Sequence, residues 1–223
     1  MSNFFDLNVH AYPETNTPAE EMLRVARRYG YAGIAITNHD DSVEEQQETS
    51  PSIYMGIEIR TNSVSELNRK LKQHSGKVPL LVVHGGDEKI NLAALKDHRV
   101  DILAHPCGEK GEGVLNHVLV RYAVENGIAI EFNMSALIYS RRGDRARILG
   151  RMRDNLHLVR KYKAMSILTS NARSIYDLRA PREMIALASL FGMRREEAVS
   201  ALSDIPLSIL EQRWNKEKEV EIL

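Results

Sequence analysis

Five side chains able to bind a metal ion or move a proton recur at the ends of short apolar runs: His10 in "DLNVH", His39 in "ITNHD", Glu58 in "GIEI", His84 in "LLVVH" and His105 in "DILAHP". Neutral imidazole and carboxylate together suit Zn²⁺, Mn²⁺ or iron, and such an ion would activate water for phosphoester hydrolysis. For any one histidine a satisfied hydrogen bond is the commoner role, but ionisable groups at consecutive run ends make a candidate cluster. Asparagine weakens it. Asn8, Asn38 and Asn171 stand where stronger ligands would be expected, and a neutral amide is a poor ligand for these ions.

Those side chains can converge only if the runs are neighbouring strands. Seven aliphatic segments, at 4–10, 33–38, 53–59, 80–84, 101–105, 128–133 and 165–170, read as strands, and helical patterns separate them. Thr17-Pro18-Ala19-Glu20 reads as a capping box with proline at the first helical position, and Ser63 repeats the signal ahead of Leu67 and Leu71. A helix over 114–126 stops at Gly127. Strands this uniformly aliphatic argue for a parallel sheet covered by helices. Every strand ends in a polar or ionisable residue, which favours a closed barrel, where the C-terminal rim collects functional groups, over an open sheet with one switch point. The fold expected is α/β: a distorted TIM-type barrel of about seven parallel strands with extra C-terminal helices. It forms a single barrel domain over 1–223, with β/α units to 170 and helices at 181–191, 194–203 and 206–218 packed on it. No eighth strand is evident.

The composition, 43% hydrophobic and 27% charged over 223 residues, is that of an ordinary soluble globular protein. One cysteine, Cys107, excludes an internal disulfide and suits a reducing compartment. No signal peptide is evident, and the run "VPLLVV" at 78–83 is far too short to span a bilayer, so a cytoplasmic location is expected. Net charge is zero, but residues 141–163 hold nine basic residues against two acids, a local block that suits nucleic acid or a solvated helix face. Of 30 basic residues 20 are arginine, which favours bidentate phosphate contacts. The acidic run from Asp40 to Glu45 would repel RNA and suits a basic partner.

"DLNVH", "GIAITNHD", "GIEI", "DILAHP", "IAIEFNMS" and "SNAR…DLRAP", in this order over residues 6–182, resemble a degenerate branch of the polymerase-and-histidinol-phosphatase (PHP) superfamily, the 30-kilodalton-type protein subunits of archaeal ribonuclease P. The superfamily's metal motifs, His-x-His, Asp-His and Asp-x-His, read here as Asn8-x-His10, Asn38-His39 and Asn171-Ala172-Arg173. The resemblance implies no catalytic residue in this chain, no cofactor held by it, and a role in removing the 5′ leader of precursor tRNA. The chemistry would belong to the ribonuclease P RNA and its magnesium. The implied partners are that RNA, archaeal protein component 2 in a heterotetramer with two copies of each protein, and precursor tRNA indirectly. An archaeal source is implied as well. The alternative is a metal-dependent phosphoesterase using Glu58, His84 and His105.

Two groups of residues are the candidate RNA contacts. In a helix over 144–162, Leu149, Met152, Leu156 and Val159 form an inward stripe; Arg147, Arg151 and Lys161 lie roughly opposite it, with Arg153 and Arg160 on its flanks. Arg173, Arg179 and Arg182 follow the last strand. Arg173 stands where an enzyme of the superfamily places a metal-binding histidine. A fixed cation there disfavours a second cation and favours phosphate or a buried carboxylate.

Overall fold

A computed structural model of the chain describes residues 3–42, 50–108 and 115–221, with side-chain detail up to residue 212. Seven strands run parallel in sequence order: β1 Phe4–Val9, β2 Tyr31–Ile36, β3 Ile53–Ile59, β4 Leu80–His84, β5 Ile102–Ala104, β6 Ala129–Asn133 and β7 Ser166–Thr169. Parallel neighbours need a crossover, and helices supply most of them: α1 Ala19–Tyr29, α2 Val64–His74, α3 Glu88–Leu95, α4 His117–Asn126, and the pair α5 Met134–Tyr139 and α6 Arg142–Tyr162. The ends of the sheet meet at a parallel bridge between Val9 and Ala172, where His10 N donates to Ala172 O at 2.8 Å. The sheet is therefore a nearly closed barrel, as the strand ends had indicated.

Alternation along the strands divides the core in two. One set of side chains, including Ile34, Ile57, Leu81, Leu103, Ile130 and Leu168, packs outward against the helices. The other set, including Leu80, Val82, Ile102, Ala129 and Ile167, faces inward, and Ile209 and Leu210 of α9 (Asp204–Glu221) join it. Gly56 is where β3 crowds the inner layer: a Cβ there would lie 3.0 Å from Leu80 Cβ and from Leu80 O. Along each inner row the residues turn polar towards the C-terminal rim, with Val82 followed by His84, and Ala129 by Glu131 and Asn133.

Local chemistry sets most element ends as expected. Ser63 Oγ accepts from Glu66 N at the start of α2, and α4 stops at Gly127 in the left-handed region. The first capping box is corrected: Pro18, not Thr17, is the cap residue of α1, with no side-chain cap bond. Its carbonyl accepts from Met22 N, so the helix begins one residue later than the motif implied. The last helix likewise starts at Asp204, ahead of Pro206. "HGG" is a tight strand-to-helix turn, as its glycines indicated: a Cβ on Gly85 would lie 2.8 Å from Ala104 O, and Gly86 N donates to Asn91 Oδ1. Among the described residues no helix is long and apolar enough to cross a membrane.

The helices α7 (Pro181–Ser189) and α8 (Arg195–Leu202) are tied to the barrel by Phe191, which stacks on Phe132 of β6 with ring centroids 5.3 Å apart. Both rings are buried. Phe191→Ala is expected to cost about 3–5 kcal/mol, read as a lower urea midpoint. An unchanged midpoint would show that the C-terminal helices do not depend on this stacking.

Candidate functional site: a buried histidine–carboxylate rim

The inward residues at the strand ends meet as the sequence implied. The imidazoles of His10, His39, His84 and His105 follow one another around the rim, with successive ring centroids 5.0, 5.7 and 4.5 Å apart. Glu58, fully buried, accepts from His84 Nδ1 at 2.6 Å, and its oxygens lie 3.7 Å from His10 Nε2 and 3.8 Å from His105 Nε2. Asn8 Nδ2 donates to Glu131 Oε1 at 2.8 Å and to Glu58 Oε2 at 3.4 Å, so the amide joins two carboxylates that would otherwise repel. Asn171 Oδ1 faces His10 Nε2 at 2.8 Å, and Asn38 Oδ1 accepts from Ala11 N. The asparagines therefore wire the rim together.

Sequence reasoning missed three carboxylates. Glu14 lies in the loop after β1, where no strand-end pattern points to it, yet it is the hub of one half of the site. Its oxygens contact His10 Nδ1 at 3.0 Å, His39 Nδ1 at 2.9 Å and the Arg173 guanidinium at 2.8 Å, and accept from His39 N at 2.8 Å. Burial opposes its charge, but the hydrogen bonds from His10 and His39 outweigh that and hold its carboxyl far below the usual range. Glu131 accepts from Thr169 Oγ1 and His105 N besides Asn8. An acid inside the aliphatic run "IAIEFN" was the legible signal for it. Asp6 accepts from Ser170 N through both oxygens; burial dominates there and pushes its carboxyl up to about 7. For Glu58 burial is again opposed, by the His84 bond and by the imidazoles of His105, His84 and His10, and its carboxyl settles at about 2.

Ligand type and spacing fit a transition-metal ion in two places: the donor atoms of His10, Glu14 and His39, and those of His39, Glu58 and His84, each lie within 4.8 Å of one another. The same donors are nearly all used already within the chain. His39 Nε2 is buried without a partner among the described residues. His105 and Asn171 both adopt a left-handed backbone, at φ 47° and 49°, which turns these strand ends at the rim.

The candidate RNA contacts lie in less uniform places. The inward face of α6 is Ile148, Met152, Asn155, Leu156 and Val159; Leu149 is only half-buried, a correction to the expected stripe. Arg153 and Lys161 are exposed, and Arg147 is exposed with a surface ion pair to Asp144. Arg151 is not opposite the buried face: it lines a cleft with His105, Cys107, Met152 and Asn155. The expected 3.6-residue wheel misplaces it because α6 buries a wider face, through Ile148 and Asn155, than four aliphatic residues define. Arg160 is corrected too. Its guanidinium grips Glu197 at 2.8 and 2.6 Å and Gly192 O at 2.7 Å, joining α6 to α8. Arg173 is 51% exposed and paired with Glu14; Arg179 donates to the carbonyls of Tyr176 and Leu178; Arg182 is exposed. Burial pushes the Cys107 thiol up, which disfavours its thiolate. In the acidic run Asp40 is paired with Lys70 at 2.7 Å, and residues 43–45 lie outside the described residues.

A nearly closed seven-stranded parallel barrel with histidines and carboxylates on its C-terminal rim defines an α/β barrel protein of the distorted TIM type. In fold it is similar to Lactococcus lactis histidinol phosphate phosphatase, solved with zinc, L-histidinol and phosphate (TM-score 0.56, 12% identity, 86% of this chain and 95% of that one). The model of the RNase P subunit p30 family matches residues 3–218, and the chain belongs to that family. It is 44% identical over 214 residues to ribonuclease P protein component 3 of Methanococcoides burtonii, covering 95% of this chain and 88% of that protein. A chain in the cryo-EM structure of archaeal ribonuclease P with mature tRNA superposes with a TM-score of 0.76 at 25% identity, over 93% of this chain and 90% of that one.

The raised Asp6 carboxyl has a pH signature. Its folded value of about 7 exceeds the ordinary 3.8, so the stability it contributes is complete below the ordinary value and is lost as pH rises towards 7. Asp6→Asn should remove that loss and match or exceed the parent by about 1–3 kcal/mol at pH 8. Urea titrations at pH 5 and pH 8 check this. A variant weaker than the parent at pH 8 would show that Asp6 is needed as an anion.

Proposed function

We propose that this chain is a protein subunit of ribonuclease P that binds and supports the catalytic RNA as it removes the 5′ leader of precursor tRNA. The match to the p30 family over residues 3–218 carries this reading. The rim supports it, because its carboxylates are engaged by the chain's own imidazoles, amides and Arg173 and offer no free base or nucleophile. The endonuclease activity belongs to the complex: the RNA subunit and its magnesium do the chemistry, and this chain holds no cofactor of its own. Its partners are the ribonuclease P RNA and archaeal protein component 2, in a heterotetramer with two copies of each, and it works in the cytoplasm.

The mechanism is electrostatic. Cations that neutralise phosphate repulsion let a large RNA reach its active fold at lower magnesium, and each phosphate contact adds to the salt dependence of binding. Arg147, Arg153, Lys161 and Arg182 are exposed and suit this role directly. Arg173 and Arg179 stand on the rim; Arg151 reaches RNA only from its cleft, and Arg160 acts by fixing α6 to α8.

One observation favours a second reading, a metal-dependent phosphoesterase: the unpartnered Nε2 of His39 beside Glu58 and His84. On that reading Glu58, His84 and His105, with the free nitrogen of His39 beside them, would hold an ion that would supply Lewis-acid activation of water. The test is precursor-tRNA cleavage by the cognate RNA and partner proteins at limiting magnesium, with and without this chain, beside the chain alone with Mn²⁺. Added chain should raise cleavage while the chain alone does nothing. Arg147→Glu with Arg153→Glu should raise the magnesium requirement and lower the salt slope by about one for every phosphate left without its arginine. Turnover by the chain alone would select the phosphoesterase.

A further inference from the structure

Tyr12, Tyr139 and Tyr176 expose 61%, 60% and 83% of their surface, the largest exposures among the described large apolar side chains. They lie far apart in sequence but on three adjoining segments of the C-terminal rim. Tyr12 is in the loop after β1, Tyr139 ends α5 after β6, and Tyr176 is in the loop after β7. β7 pairs with β6 on one side and bridges to β1 on the other through Val9 and Ala172.

These segments are held in place. The Tyr139 hydroxyl donates to Asp177, and Asp177 also accepts from Ser174 Oγ and Arg173 N. Tyr12 N donates to Thr17 O, and Tyr12 O accepts from Asn38 Nδ2. The cations around the rings are arginines fixed by the same backbone. Arg179 donates to Tyr176 O at 2.8 Å, Arg145 to Ile138 O at 3.1 Å, and Arg173 pairs with Glu14. Arg141 and Arg142, both exposed, stand at the start of α6, directly beyond Ser140, which caps α5. Among the described residues three nearby acids are committed to partners, Glu14 inside the rim, Asp177 in the loop network and Asp144 to Arg147, while exposed Asp41 lies on the loop after β2, which bounds the sector on the far side of Tyr12.

We infer that this sector of the rim is a stacking surface for unpaired RNA bases, with Tyr12, Tyr139 and Tyr176 offering ring faces and the arginines taking the flanking phosphates. Exposed aromatic rings in a field of arginine fit single-stranded nucleic acid: every base has a face to stack on, and the backbone between bases is anionic. The charge favours RNA over a protein partner, which would need a matching acidic, apolar face. The inference rests on the reading of the chain as an RNA-binding subunit and deepens it. Duplex phosphates belong to the exposed side of α6, and unpaired nucleotides to the rim.

The experiment is fluorescence anisotropy of a short labelled oligouridylate, and of an RNA duplex of equal length, with the full chain. It compares Tyr12→Ala, Tyr139→Ala, Tyr176→Ala and the conservative Tyr12→Phe and Tyr176→Phe. Tyr29→Ala, at the far end of α1, is the control, and melting curves establish that each variant folds. Each rim alanine should weaken oligouridylate binding by roughly tenfold, with phenylalanine variants and the control within about twofold and duplex binding unchanged. No measurable binding by the parent chain, unchanged affinity in the alanine variants, or equal losses for duplex would overturn the inference. So would unchanged RNA affinity with loss of association to another protein subunit. Stimulated precursor cleavage with unchanged oligouridylate affinity removes the stacking surface alone. A selective loss without stimulation upholds it and removes the ribonuclease P reading.

Discussion

Three carboxylates, Glu14, Glu58 and Glu131, are enclosed at the mouth of the barrel, and the rim is organised by the need to satisfy them. An ionised carboxylate taken out of water costs several kcal/mol unless hydrogen bonds and opposite charge offset it. Here the chain supplies hydrogen bonds to all three and, at Glu14, a permanent cation as well. Glu58 draws on His84 and Asn8, Glu131 on Asn8, Thr169 and the His105 amide, and Glu14 on His10, His39 and Arg173. Asn8 is the shared donor, which explains an amide at a position where a ligand would be expected. A carboxylate there would set a further acid against Glu58 and Glu131 and would lack the amide N–H groups that Asn8 donates to them.

The same constraint separates the roles of the arginines. Arg173 turns one nitrogen to Glu14 while half its surface faces water, so its charge serves the rim and the solvent at once. Arg160 is consumed by Glu197 and the Gly192 carbonyl. Of the candidate contacts, Arg147, Arg153 and Lys161 lie outward along α6 and Arg182 on α7. A barrel of this kind can support RNA from its surface, because the carboxylates of its rim are taken up by internal partners while part of its arginine set stays exposed.

Much of this was legible in the sequence. The seven strands lie within two residues of where their aliphatic runs placed them, because buried parallel strands carry an unbroken apolar signal. Convergence of His10, His39, Glu58, His84 and His105 followed from strand-end position alone. Glu14 was not legible, since a loop carries no periodicity to place its side chain. Thr17 failed as a cap because the motif permits two starts one residue apart, and Pro18 takes the helix from the later one. Arg151 and Arg160 show the limit of a helical wheel: it gives direction around one helix, not what the neighbouring elements bring to meet it. Glu197 and the Cys107 cleft come from distant sequence.

We propose that the rim's buried carboxylates are satisfied by the chain's own groups and that its fold needs no ion. The most direct measurement is the transition-metal content of the freshly purified protein, by elemental analysis, with its melting temperature before and after chelation. Self-neutralisation predicts far less than one ion per chain and an unchanged melting temperature. One tightly held ion per chain, with a melting temperature that falls by several degrees on its removal, would contradict it.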